Sequence, residues 1–400
     1  MKTKTIFTGL LLAGVIFTGC KKEEEEEVVS LEEEVVSLKS QTQTTYAEIA
    51  YANYSDALST AKELKTAIDA FVANPSESSQ KAAKDSWLAA REPYGQTEAF
   101  RFSEGPIDDE DGPEGLMNAW PLDEGYIDYT SSETDSGIIA NATDFPDLTA
   151  TVLEAANEAG GDANVSIGYH AIEFLLWGQD LTEPSENKAG QRSYMDYTTE
   201  PNASRRKEYL QVCSALLIEN LQSLVDEWAP GKTTNFRATF LSWSEDEAMK
   251  TILTGLGMFS KGELAGERMF TAVKGQDQED EHSCFSDNTH RDMILNAQSI
   301  RNILTGNYVR VDGSVVSGIS LEDVIKEENA TIAAELEALS ASSVAQCKLI
   351  PVPFDLAIST ETTTSGGEVM TSVVTLQDQG DKIAEAAKAL GYTISIELPE

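Results

Sequence analysis

Three histidines occur in the 400-residue chain, His170, His282 and His290, and one of them stands three positions before an acid. His170 and Glu173 lie in a segment of helical pattern, where i to i+3 spacing puts the two side chains on one face, roughly 5–6 Å apart at Cβ. A neutral imidazole and a carboxylate so placed can share one metal ion, and the two donor types suit zinc or iron. Gly168, two residues before the histidine, lets another backbone or side chain approach closely. The plainer alternative is a core histidine bonded by Glu173 among Ile172, Phe174, Leu175 and Leu176. A bare HxxE spacing does not separate the two.

The elements that must hold this pair are helices. Apolar residues recur at helical spacing from Tyr46 to Phe71, ending at Pro75, and a second helix is expected from about Ser76 to Phe102. Gly105 to Tyr129 breaks into Gly-Pro, Trp-Pro and acidic residues and reads as a long ordered loop, a kind of loop that usually serves or covers a site. Helical spacing resumes over 148–159, 165–177, 204–228, 235–241, 245–273, 290–304 and 321–340. Strand-like alternation is confined to 308–316, around Asp312-Gly313, and to 392–398. The fold class is therefore all-α, with at most a minor β-hairpin. Gly168 to Leu175 can be laid on Gly262 to Met269 with Gly, Ala and Glu at the same offsets, which suggests an internal duplication and two packed bundles.

At the N-terminus, Lys2 and Lys4, an apolar stretch from Ile6 to Phe17 and the ending Phe17-Thr18-Gly19-Cys20 read as a lipoprotein export signal over 1–19. Cleavage would fall before Cys20, which becomes a lipid attachment site. Glu23 to Glu27 and a repeated EEEVVSL heptad follow, so 20–45 reads as a solvated, partly helical stalk. An acidic run after a lipidated cysteine also resembles the surface-export tag of some Gram-negative lipoproteins. The expected location is the cell envelope, anchored to the outer membrane on its periplasmic or its outer face. The ~360 remaining residues suggest two lobes, 46–200 and 201–400.

A formal net charge of −39 argues against nucleic-acid binding, since phosphates would be repelled and no basic stripe exists to neutralise them. Outside Cys20 the cysteines are Cys213, Cys284 and Cys347, which allow at most one disulfide. The acids Asp108 to Asp111 do not make an EF-hand: with Gly112 at the sixth position, Ile107 falls at the first and Asn118 at the twelfth.

Four stretches then arrive in order: Trp87 to Phe102, the loop ending Asn118-Ala119-Trp120-Pro121-Leu122, Gly168-x-His170-x-x-Glu173, and Gln278 to His290. Together with Pro353-Phe354-Asp355 and Ala386 to Gly391 they resemble the imelysin-like family, named for an insulin-cleaving bacterial surface protease and including iron-regulated proteins. The resemblance covers about 46–398, and GxHxxE is the family's signature. It implies two four-helix-bundle-like lobes, the signature near their interface, and a role tied to iron uptake. On that basis His170, Glu173, Glu98 and His282 are the candidate metal ligands. Gly168, Arg91, Glu267, Arg268 and Asp280 are supporting residues.

Two functions follow from different classes. One is a lipid-anchored protein that binds a metal ion, iron before zinc, for delivery to iron-uptake components. The other is a zinc peptidase in which His170, Glu173 and a remote histidine hold zinc, although HExxH is absent and no general base stands out. A haem-binding or purely structural protein is a third reading, resting on Met258 and Met269.

Overall fold

The structure is a computed structural model that describes residues 20–109 and 112–398. The expected signal segment and two acids of the 105–129 loop, Glu110 and Asp111, lie outside the described residues. Helices dominate, and a single two-stranded sheet is present among the described residues.

The first bundle is built on the helix Cys20–Ala73, against which Glu77–Tyr94 and Ala203–Trp228 pack, with Gly168–Trp177 closing the group. Pro75 bars continuation of the first helix. Ser76 then caps the second, its hydroxyl accepting from the Ser79 N–H while the Ser79 hydroxyl accepts from the Ser76 N–H. That helix stops at Tyr94 rather than 102, because Pro93 lies in its last turn and the chain tightens into a short 3₁₀ turn, Glu98–Phe100. Helix Ala203–Trp228, which follows the lobe boundary expected after residue 200, packs against the first helix and Gly168–Trp177.

The second bundle is formed by the rod Glu245–Gly275 with Thr289–Leu304, Ala330–Cys347 and Glu368–Ala389. The rod's central stretch, Phe259–Phe270, is π-helical. The run expected over 321–340 is two helices, Leu321–Glu328 and Ala330–Cys347, joined at Asn329, whose side chain caps the second. The helix Glu368–Ala389 was not foreseen, although Val369, Val373, Leu376 and Ile383 are its buried stripe. Gly168 opens a helix whereas Gly262 lies inside the π-helical stretch, so the two segments aligned in sequence occupy different settings.

The stretch assigned to a stalk is shorter than expected. Thr42, Gln43 and Thr45 are buried, the Thr42 hydroxyl donates to the Ser320 carbonyl, and Lys39 pairs with Asp246 at 2.8 Å. From Lys39 onward the first helix therefore belongs to the body. The hairpin pairs Asn307–Val309 with Val315–Ser317 across the Asp312-Gly313 turn, while 392–398 forms no strand. Cys213, Cys284 and Cys347 are all buried free thiols. Among the described residues, no helix is long and apolar enough to cross a membrane.

Candidate functional site

Gly168 starts its helix at φ +92, and a Cβ there would stand 2.7 Å from the Met117 carbonyl oxygen. A side chain would meet both a strained backbone and a clash, so glycine is required. The close approach brings the residue after Met117 against the first turn of the helix. Asn118 Oδ1 lies 3.2 Å from His170 Nε2 and accepts from Arg91 Nη1 at 2.7 Å.

His170 is 1 % exposed and Glu173 0 %. Their contact is on the inner side of the ring: Glu173 Oε2 lies 2.9 Å from His170 Nδ1. The other carboxyl oxygen, Oε1, accepts from the Ser286 backbone N–H at 2.9 Å and the Ser286 hydroxyl at 2.7 Å. Glu173 thus orients the imidazole and ties it to the loop after residue 275, rather than standing beside Nε2 as a second ligand. The two donor atoms of the motif thus face each other in this structure.

Burial holds the Glu173 carboxyl well above the usual carboxylate range. Burial, with Arg91 and Arg268 nearby, holds the His170 imidazole well below its ordinary value. Both shifts favour the neutral forms, and a neutral imidazole carries one N–H. In the neutral forms, the assignment that satisfies every contact has the Glu173 O–H donating to Nδ1 and Nε2–H donating to Asn118 Oδ1. Arg91 fixes the amide orientation, because its guanidinium requires an oxygen.

Around this pair runs a buried polar network shared by the two bundles. The Arg91 Nη2 atom lies 3.0 Å from Asp292 Oδ1, and the guanidinium packs over Tyr94 and Tyr169. Glu98 Oε2 accepts from Arg268 Nη2 at 2.7 Å, and Asn118 Nδ2 faces Glu98 Oε1 at 3.4 Å. Arg268 also donates to Glu263 Oε1 at 2.9 Å and to Asn296 Oδ1 at 2.8 Å. Arg268 makes these contacts from within the π-helical stretch Phe259–Phe270. Arg101 adds contacts to Asp108 at 3.2 Å and to Glu114 at 3.2 Å. Trp120 covers the site edge-on to His170, ring centroids 5.1 Å apart.

The interface thus gathers Arg91, Glu98, His170, Glu173, Gly168 and Arg268. His282 belongs with them: burial and the neighbouring Arg268 and His170 hold its pKa well below the ordinary value, and its Nδ1 is buried with no hydrogen-bond partner among the described residues. Glu267 faces solvent, and Asp280 lies partly exposed on the loop, with no bond from its side chain to this network. His290 bonds the Asp287 carbonyl instead, at 3.1 Å. Asn118, Asp292, Asn296 and Ser286 were missed. For two of them a signal existed: Asp292, Asn296 and Ser299 form a polar i, i+4, i+7 row among the buried residues of the helix Thr289–Leu304.

For a metal ion, the donor set is the test. Among the described residues His282 Nδ1 is a buried nitrogen without a partner, His170 Nε2 meets the Asn118 amide oxygen, and burial shifts both rings toward the neutral form, the form that ligates. With the Glu98 carboxylate they are donor types that suit a borderline divalent ion such as iron or zinc, although among the described residues the group of three such donors lying within 4.8 Å of one another is elsewhere, at Asp180, Asp287 and Asp355. The three guanidiniums oppose a cation, but each is already paired with carboxylates.

The chain is similar along most of its length to known proteins. It is 26 % identical over 317 residues to iron-regulated protein A of Synechococcus elongatus, covering 77 % of this chain and 74 % of that one. A crystal structure assigned as an iron-regulated protein A precursor from Parabacteroides distasonis superposes with a TM-score of 0.70 at 20 % identity, covering 88 % of this chain and 95 % of the other. An imelysin-like protein from Psychrobacter arcticum gives a TM-score of 0.61 at 13 % identity over 90 % and 98 %. These two likenesses bear on the fold. The imelysin family model matches residues 50–383, and the chain belongs to the imelysin family.

Proposed function

We propose that this protein binds one metal ion, iron in preference to zinc, at the interface of its two bundles, through His170 Nε2, His282 Nδ1 and Glu98. The observation that carries the proposal is the buried His282 nitrogen, unpartnered among the described residues, in the same interface as the His170 imidazole, since an unbonded polar atom in a protein interior is costly unless something completes it. The name of the Synechococcus relative, iron-regulated protein A, supports iron. A bound ion would supply the charge that offsets the buried acids of the network.

Glu173 has a defined part in this reading. His170 Nε2 must give up its proton to act as a ligand, and Glu173 can pass its own proton to Nδ1 and become the carboxylate that supports the ring. One proton therefore leaves the pair for each ion taken up. Burial of His170 and Glu173 weighs against the zinc-peptidase alternative, because a peptide would reach them only if the bundles parted.

Elemental analysis of untagged protein, with thermal denaturation against added Fe²⁺ and Zn²⁺, tests the proposal. The expected result is about one ion per chain and a raised unfolding midpoint, both lost in His170→Ala. A midpoint that responds equally in wild type and variant would overturn it.

For location we propose a lipid anchor at Cys20 in the cell envelope, with cargo handed to an iron-uptake component. The Phe17-Thr18-Gly19-Cys20 ending supports this. Cys20→Ala is expected to move the protein from the membrane fraction to the soluble one; unchanged fractionation would count against the anchor.

A further inference from the structure

Away from the interface network, Arg192 is held on almost every side. Its side chain is 2 % exposed, Asp128 and Asp196 both bond its Nη1, at 2.6 and 3.2 Å, and the rings of Tyr129 and Phe174 lie over the guanidinium with centroids 5.1 and 5.0 Å from Cζ. Its backbone is fixed as well, the N–H donating to the Trp177 carbonyl and the carbonyl accepting from Gln80 Nε2. What remains is the Nε edge, and Nε is buried with no hydrogen-bond partner among the described residues. Three other arginines show what such an edge takes. Arg206 meets Asp128 through Nε and Nη2 together, and Arg291 meets Glu92 and Arg310 meets Asp56 with the same two atoms.

Arg192 borders a cavity of about 340 Å³ whose wall also includes Tyr129, Gly178 and Leu181. Gly178 keeps the space next to the free edge clear: it stands at φ +72, and a Cβ there would lie 3.4 Å from Nε. The volume is at the small end of the ~300–1,000 Å³ typical of ligand pockets, which suits a metabolite-sized molecule. The charges already present balance, Arg192 and Arg206 against Asp128 and Asp196. Lys84 adds a positive one, its ammonium 5.1 Å from the ring of Trp177, the residue before Gly178. Burial, with the Arg192 charge nearby, brings the pKa of Lys84 down to about 8.

We infer that this cavity binds a small organic monocarboxylate, its head group on the Nε edge of Arg192 and its carbon body against Tyr129 and Leu181. A guanidinium edge presents two parallel N–H groups that match the two oxygens of a carboxylate. Two rings and two acids already hold the guanidinium plane, so little side-chain freedom is lost when the ligand arrives. Leu181 is 68 % exposed and offers the carbon body an apolar contact at the rim. A phosphate dianion would bring a second negative charge to a chain of net charge −39, which disfavours it against a single carboxylate.

The site shares no residue with the interface ligands and does not rest on the reading proposed for them. The full chain is titrated with sodium butyrate, sodium benzoate and inorganic phosphate at constant ionic strength, and followed by calorimetry and thermal denaturation, in wild type, Arg192→Lys, Leu181→Glu and His170→Ala. The expected result is one butyrate or benzoate per chain and a midpoint raised by about 3–6 °C at hundredfold excess over Kd. Arg192→Lys keeps a charge for Asp128 and Asp196 but loses the two-pronged edge, so affinity should fall about 10–100-fold. Leu181→Glu alters an exposed side chain and sets a like charge at the rim, which should weaken binding about 5-fold and decides the matter should the lysine variant not fold. His170→Ala should bind as wild type does. No binding of either carboxylate to wild type, affinity unchanged in folded Arg192→Lys or in Leu181→Glu, or phosphate bound as tightly as the carboxylates overturns the inference.

Discussion

The carboxyl of Glu173 meets His170 at Nδ1, 2.9 Å away, and leaves Nε2 as the outward nitrogen of the ring. The acid of the motif thus backs the ring at one nitrogen, and the Asn118 amide oxygen meets the other at 3.2 Å.

Replacing Glu173 by glutamine separates support from proton transfer. The glutamine keeps a carbonyl for Ser286 and a donor for Nδ1, so stability should change by less than ~1 kcal/mol. It has no acidic proton to pass on, and metal affinity should fall by about 10–100-fold. Glu173→Ala, by contrast, leaves Ser286 and His170 unpartnered and should cost about 2–3 kcal/mol. Titration calorimetry and urea unfolding on the two variants check the pair of outcomes; equal affinities in wild type and Glu173→Gln would remove the proton-transfer role.

Arg268 and Glu98 form a buried ion pair across the bundles, side chains 2 % and 3 % exposed. Arg268→Met leaves a charge without its partner and should destabilise by about 3–5 kcal/mol. Adding Glu98→Gln to that variant should recover part of the loss. A double-mutant cycle that is additive within ~0.5 kcal/mol would mean the pair does not couple the bundles.

Gly168→Ala puts a Cβ at φ +92 and 2.7 Å from the Met117 carbonyl oxygen. Strain and clash together should cost about 2–4 kcal/mol, and displacement of Asn118 should weaken metal binding as well. An alanine variant as stable as wild type would show that the Met117–Asn118 segment is not held as described.

The pH dependence has a definite sign. Burial pushes Glu114 up to about 7, against an unfolded value near ~4.5. Its contribution to stability is therefore fully present below the unfolded value and is lost as pH rises through the folded one. The histidines act oppositely, since the lowered values of His170 and His282 mean their contribution is lost as pH falls below ~6.5. Comparing wild type with Glu114→Gln cancels the histidine part. The wild type should lose stability relative to the variant between about pH 5 and 7.5, measured by denaturant midpoints without metal; parallel profiles would contradict the raised carboxyl.

Much of this protein was legible in its sequence because the signals are local. The 3.6-residue periodicity over Ile49 to Phe71 and over Leu210 to Trp228, the stop at Pro75 and the turn at Asp312-Gly313 each depend on neighbours a few residues away. Gly168, His170 and Glu173 were legible for the same reason. Tertiary structure decided which atoms of that motif face which partners. The i to i+3 spacing is equally compatible with two side-by-side ligands and with a carboxyl backing a ring, and the choice was made by Ser286, 113 residues further on. The same holds for Asp180, Asp287 and Asp355, and for the reach of Arg268 from its π-helical stretch to Glu98, 170 positions away. No local pattern encodes these meetings, because they follow from how two bundles pack and bury their polar groups against one another.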